Sequence, residues 1–186
     1  MYPYVELVSL YELMGPYHNQ YRNSVAAIFG PNNNITRAEA AQMLVKRAHL
    51  PLRPNPTSPI FSDVAPANPI YLEITAAFNA KIVTECGKGQ DGGKPLFCPD
   101  QPVTRGEFAE MLSKALKIDV NKLPQVSAFA DVPINSPTFK FIEALYKSHI
   151  LDVSLLSCKQ GSFCPDGILL RKDAAILLAH SLLFAQ

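Results

Sequence analysis

The residues best placed to do chemistry recur at a fixed interval. "FGPNNNITRAEAAQML" begins at Phe29, "FCPDQPVTRGEFAEML" at Phe97 and "FCPDGILLRKDAAILL" at Phe163. In each, an arginine follows the phenylalanine by eight residues: Arg37, Arg105 and Arg171. The copies start 97 − 29 = 68 and 163 − 97 = 66 residues apart, and self-similarity at a fixed period marks a repeat architecture. A guanidinium in the first turn of a helix faces the positive end of the macrodipole, where stability alone favours Asp or Glu. There it can join helix-terminal N–H groups in a small anion site suited to a carboxylate or phosphate. The competing assignments are an ion pair with Asp63 or Asp131 of a neighbouring repeat, which would fix the packing, and a merely solvated side chain.

The residues around the arginines read as helix starts. Thr36 with Glu39, and Thr104 with Glu107, have the Thr-x-x-Glu form of a capping box, in which side chain and backbone satisfy each other reciprocally. The third copy puts Leu170 and Asp173 there, which damages the box. Behind each cap runs an apolar stripe at helical spacing: Ala40, Met43, Leu44 and Ala48; Phe108, Met111, Leu112, Ala115 and Leu116; Ala174, Leu177, Leu178 and Leu182. Phe29, Phe97 and Phe163 read as core or loop plugs.

Catalytic patterns are missing. The chain has no Gly-x-Ser-x-Gly, His-Glu-x-x-His or phosphate loop. His18, His49, His149 and His180 show no ligand spacing and read as surface or packing residues. "DVNKLP" from Asp119 begins like a calcium loop but lacks glycine at its sixth position. Glu73 and Glu143 occupy equivalent repeat positions, which suggests a structural role. The expectation is a chain with no enzyme activity, no metal and no cofactor.

Cysteines bear on the compartment. Cys86 with Cys98, and Cys158 with Cys164, fall one pair in each of the last two repeats, at spacings unlike a zinc knuckle or redox motif. Four cysteines allow three connectivities, and the repeat favours the two local ones. Each such bond would stabilise by about 2–3 kcal/mol on the chain-entropy model. Disulfides persist in oxidising spaces, which points to an exported chain; the alternative is four reduced cysteines in a cytosolic core.

Bulk properties narrow the partners. The 186 residues are 48% apolar and 18% charged, a globular composition, with a formal charge of +1 that gives no field for nucleic acid. No apolar run reaches the roughly 20 residues of a membrane span. "MYPYVELVSLYELMG" lacks the basic start and cleavage site of a signal peptide, so either a signal was already removed or Met1 was added to an excised fragment.

Two further stretches complete the unit. "FSDVAPANPIYLEITAAFNAKIV" from Phe61 matches "FADVPINSPTFKFIEALYKSHIL" from Phe129. Asn68-Pro69 and Ser136-Pro137 fit an N-cap followed by proline at the first helical position. Ile74, Ala77, Phe78 and Ile82 recur as Ile142, Leu145, Tyr146 and Ile150, a helical stripe. Each unit is therefore helix, loop, helix, too small to stand alone, so three should share one core. The division is repeat 1 at 1–50, a Pro-rich linker at 51–60, repeat 2 at 61–118, a linker at 119–128 and repeat 3 at 129–186. Repeat 1 is truncated at its start, although Val5, Val8 and Met14 can still form part of a first helix.

Phe-x-Asp-Val, an Ile-centred helix, Phe-x-Pro and Ile/Val-Thr-Arg-x-Glu, in this order and repeated, resemble the S-layer homology (SLH) domain over nearly the whole chain. The resemblance implies an all-α, pseudo-threefold bundle and a non-catalytic anchor that binds cell-wall polysaccharide or peptidoglycan at the extracellular surface. It implies ligand contacts in inter-repeat grooves from Arg37, Arg105 and Arg171. Thr36, Thr104, Glu39 and Glu107 read first as caps, and Asp63 and Asp131 as caps of a turn or short helix, with ligand contact the lesser assignment for all six. The chain departs from the family by having no tryptophan; Pro69 and Pro137 stand where many members place one. The cysteine-closed loops resemble a subset associated with Gram-negative bacteria. The rival assignment is a protein–protein module, part of a surface layer made of other copies or a coat on an extracellular filament, with Tyr2, Tyr4, Leu183 and Phe184 as contacts.

Overall fold

A computed structural model describes residues 3–15, 29–53, 59–90, 93–122, 124–152, 154, 156–159 and 161–184. Helices dominate: α1 Pro3–Leu10, α2 Arg37–Arg47, α3 Tyr71–Asn79, α4 Arg105–Ala115, α5 Phe139–Lys147 and α6 Arg171–Phe184. The one sheet among the described residues pairs β1 (Gly87–Lys88) with β2 (Pro95–Leu96), antiparallel, inside a cysteine-closed loop. The fold is all-α, as the sequence implied. His18 and Tyr2 lie outside the described residues, as does part of the Pro-rich linker, residues 54–58.

The helices pair across the repeat boundaries: α2 packs on α3, α4 on α5, and α6 on α1. That last contact closes a ring. A cyclic triangle of backbone bonds lies at its centre: Ile35 N–H donates to Leu169, Val103 N–H to Ile35, and Leu169 N–H to Val103, all at 2.9–3.0 Å. A second cycle surrounds it, from Arg37 N–H to Gln101, Arg105 N–H to Gly167 and Arg171 N–H to Asn33, each at 2.9 Å. Three short segments, each arriving just ahead of a second helix, thus satisfy one another's backbone groups, which burial would otherwise leave costly.

Apolar side chains from all three units merge into one core. Ile35, Leu44, Ile74, Phe97, Phe108, Leu112, Ile142, Leu145, Ile150, Phe163, Leu169 and Leu177 are fully buried. Phe97 and Phe163 fill the interior as expected, while Phe29 is only partly buried. Of the anticipated stripes, Phe78, Ala48, Leu116 and Leu182 pack at the core margin, and Tyr146 keeps 44% of its surface exposed.

Three helix ends share one geometry. Leu13, Ile82 and Ile150 each donate a backbone N–H five residues back, to Val8, Ala77 and Leu145. The preceding residues Glu12, Lys81 and His149 have φ of 55°, 60° and 59°, the left-handed turn of a Schellman-type helix end. His49 and Lys117 close α2 and α4 in the same way. So α1 ends as α3 and α5 do, and its place against α6 matches theirs against α2 and α4.

One expectation fails. α3 and α5 begin at Tyr71 and Phe139, not at Pro69 and Pro137, and neither Ile70 nor Thr138 makes a side-chain cap bond. Asn68 Oδ1 instead accepts from Ile70 N–H at 2.9 Å, and Asn68 O accepts from Tyr71 N–H at 3.0 Å. The Asx turn takes the cap residue and delays the helix.

Candidate functional site

The three repeated arginines occupy equivalent positions at the three seams, and each reaches into the next unit. Arg37 Nε donates to Phe97 O at 2.9 Å, Arg105 Nε to Phe163 O at 2.7 Å, and Arg171 Nε to Phe29 O at 2.8 Å. Each guanidinium also lies over that same phenylalanine ring, 5.0–5.1 Å from its centroid, in cation–π range. A second arm finds the loop behind the next unit's first helix: Arg37 Nη2 to Thr84 O at 2.7 Å, and Arg171 Nη2 to Gly15 O at 2.8 Å. Arg105 Nη2 is buried without a hydrogen-bond partner among the described residues.

The third arm meets a carboxylate. Arg37 Nη1 pairs with Glu107 at 3.4 Å, Arg171 Nη1 with Glu39 at 3.6 Å, and Arg105 Nη1 with Asp173 at 2.7 Å. The partner is thus the capping-box acid of the next unit, not Asp63 or Asp131. Those two act at longer range, opposing the depression of the Arg37 and Arg105 pKa values that burial causes first. All three arginines are nearly buried. The carboxylates differ: the side chains of Glu107 and Glu39 keep 44% and 30% exposure, whereas Asp173 keeps 1%.

The capping boxes explain the difference. Thr36 and Thr104 hydroxyls accept from Glu39 and Glu107 N–H, and the glutamates accept in return from the threonine N–H groups, at 2.8–3.2 Å. Those glutamates divide themselves between cap and arginine. Asp173 follows Leu170, which has no hydroxyl, and its carboxylate accepts from Ser157 N–H and Oγ–H at 3.2 and 3.0 Å as well as from Arg105. A shorter acid and a missing threonine convert a surface cap into an internal clasp.

Asp63 and Asp131 hold the loops that the arginines grip. Asp63 accepts from Phe97 and Cys98 N–H at 2.8 and 2.7 Å, and Asp131 from Phe163 and Cys164 N–H at 2.9 and 2.7 Å. Cys98 and Cys164 have φ of 57° and 56°, and Gly30, their counterpart in repeat 1, has 62°. The middle residue of Phe-x-Pro thus turns left-handed each time, a conformation costing a non-glycine residue roughly 1–2 kcal/mol. Disulfides Cys86–Cys98 and Cys158–Cys164 hold it in place. Each aspartate also lies beside its disulfide, with oxygen and both sulfurs within 4.8 Å. With the sulfurs bonded to each other, no thiolate is left for a metal.

The structure therefore brings every candidate residue to a seam or to the loop beneath it. Sequence reasoning did not reach the carbonyls of Thr84 and Gly15, or Ser157, because these lie in loops without repeated side chains. The eight-residue spacing from phenylalanine to arginine was a signal, since each arginine ends on the phenylalanine of the following unit.

Two comparisons say what the chain is similar to. Residues 2–41 match the family model described as the S-layer homology domain. The chain is 30% identical over 184 residues to "Cell surface glycoprotein 1" of Acetivibrio thermocellus, an alignment covering 91% of this chain. It spans 7% of that relative's length.

Proposed function

We propose that this chain, which carries S-layer homology sequence at residues 2–41, is a non-catalytic anchoring module of the cell surface. It binds cell-wall polysaccharide or peptidoglycan along its inter-repeat seams. The observation that carries this is the inequality of the clasps. At two seams the arginine's carboxylate keeps 30–44% exposure and is held at 3.4–3.6 Å, while the third is sealed at 2.7 Å. A loose, half-exposed ion pair contributes little. An acidic group on a glycan can therefore displace Glu107 or Glu39 and take the guanidinium, helped by the positive helix terminus beside it. Arg105 serves as a joint. Thr36, Thr104, Asp63 and Asp131 hold the surfaces in register.

The disulfides support export to an oxidising space, and no described helix is long and apolar enough to cross a membrane. Co-sedimentation with purified sacculi tests the reading. The wild-type chain should pellet, and a double Arg37→Ala, Arg171→Ala variant should lose at least tenfold in affinity. Glu107→Gln, which removes the competing charge but no buried cation, should bind at least as well as wild type. No pelleting of wild type, or equal pelleting of the double variant with its circular dichroism intact, overturns it. The exposed Leu10, Tyr11 and Leu183 favour a second reading, a protein–protein module within a surface layer or filament coat. Assembly in native mass spectra without any glycan would mark that outcome.

A further inference from the structure

A cleft of about 750 Å³ opens between α1, the end of α5 and α6, where the ring closes. It lies by the C-terminal ends of α5 and α6, whereas the arginine seams lie at the starts of α2, α4 and α6. Its volume falls within the range of small-ligand sites, roughly 300–1,000 Å³. Tyr4, His180 and Phe184 form a run of edge-to-face rings, with centroids 5.3 and 5.6 Å apart. Tyr146 and Phe184 leave 44% and 49% of their surface open.

His180 supplies the discriminating feature. It is 6% exposed, and its Nδ1 lies 3.2 Å from Ile150 O. A carbonyl only accepts, so Nδ1 donates to it, and Nε2 is the ring's remaining polar atom. His180 makes no other hydrogen bond among the described residues. The charged groups of the cleft are already engaged. Lys147 Nζ donates to Lys122 O at 2.8 Å, and the Asp152 carboxylate accepts from Ser154 N–H and Oγ–H at 3.0 and 2.6 Å.

We infer that this cleft is a second binding site, which takes an uncharged pyranose unit of a glycan. A sugar ring presents an apolar C–H face to aromatic rings, and its hydroxyls need donors and acceptors around the rim. An apolar peptide helix would instead strand the imidazole and phenol groups without partners. With the charges engaged internally, nothing in the cleft demands an acidic ligand. The inference builds on the wall-glycan reading, yet the site and the sugar chemistry differ from those at the seams.

The test is titration of the whole chain with a tetramer of β-1,4-linked N-acetylglucosamine and, separately, with cellotetraose, read by amide chemical shifts. At least one sugar should give saturable shifts near Tyr146, His180 and Phe184. Phe184→Ala and Tyr146→Ala, both at exposed positions, should weaken binding at least tenfold while leaving the melting temperature within a few degrees. His180→Gln should weaken it too. No saturable shift with either sugar, shifts confined elsewhere, or unchanged affinity in Phe184→Ala overturns the site. So does self-association that Phe184→Ala abolishes when neither sugar binds. If sacculi pellet the chain but no sugar shifts these amides, the cleft falls and the seam reading stands; if a soluble sugar binds but sacculi do not pellet the chain, the seam reading falls and the cleft stands.

Discussion

Removing Arg105 strips the charged partner from an Asp173 carboxylate that retains 1% exposure, whereas removing Arg37 leaves Glu107 with 44%, within reach of water. Losing one member of a buried pair costs about 3–5 kcal/mol. An exposed carboxylate is resolvated, and the loss is then mainly hydrogen bonds to Phe97 O and Thr84 O, about 1–3 kcal/mol. Urea denaturation should therefore rank Arg105→Ala as clearly less stable than Arg37→Ala; the reverse order would show that the clasps are not graded by burial. Asp152 offers a pH test. The Ser154 hydroxyl, its largest influence, holds the Asp152 carboxyl below the usual range, and burial opposes this. A carboxylate depressed in the folded state adds stability above its unfolded value of about 3.9, and loses it as pH falls through the folded value. Ser154→Ala should accordingly flatten the loss of stability below about pH 4, measured by acid denaturation. At this scale the sequence showed which residues mattered, because arginine, threonine and acid recur in step. It did not show what each arginine grips, since those partners lie 47–70 residues away in the chain for Arg37 and only the ring closure brings them together.

Local elements were legible wherever one side chain decides the outcome. The capping boxes at Thr36 and Thr104 form as read. Thr104→Ala should lower stability by about 1 kcal/mol, the ordinary cost of losing an N-cap, measured as a shift in denaturation midpoint. Leu170→Ala removes no cap bond, and any loss there should come from packing alone. The starts of α3 and α5 were misread because Asn68 and Ser136 have two uses for one side chain, helix cap or turn, and tertiary packing chooses between them. Gly106 stands where repeat 1 has Ala38 and repeat 3 has Lys172. A Cβ at Gly106 would lie 3.1 Å from Pro165 O and 3.3 Å from Thr138 Cγ2, so Gly106→Ala requires the neighbouring loop to give by a few tenths of an ångström. The loop disulfides close 12- and 6-residue separations. Removing Cys86–Cys98 by paired Cys→Ala substitution should cost about 3 kcal/mol, and removing Cys158–Cys164 about 2 kcal/mol, if loop entropy dominates. Thermal melts of the two variants order them directly.

At the scale of the molecule, three helical units form one body because each supplies backbone bonds that the next requires. Neither the pairing of helices across repeat boundaries nor the contact of α6 with α1 could be read from periodicity, which is silent about where a chain closes on itself. Everything proposed for the seams and the cleft presumes this closure. Native-state hydrogen exchange at Ile35, Val103 and Leu169 tests it most directly. These three amides donate around the central triangle, so they should exchange only through global opening, with equal free energies that fall together in Arg105→Ala. Protection of one or two of them at a level orders of magnitude below the third would show that the units open independently, and would contradict the single ring on which this account stands.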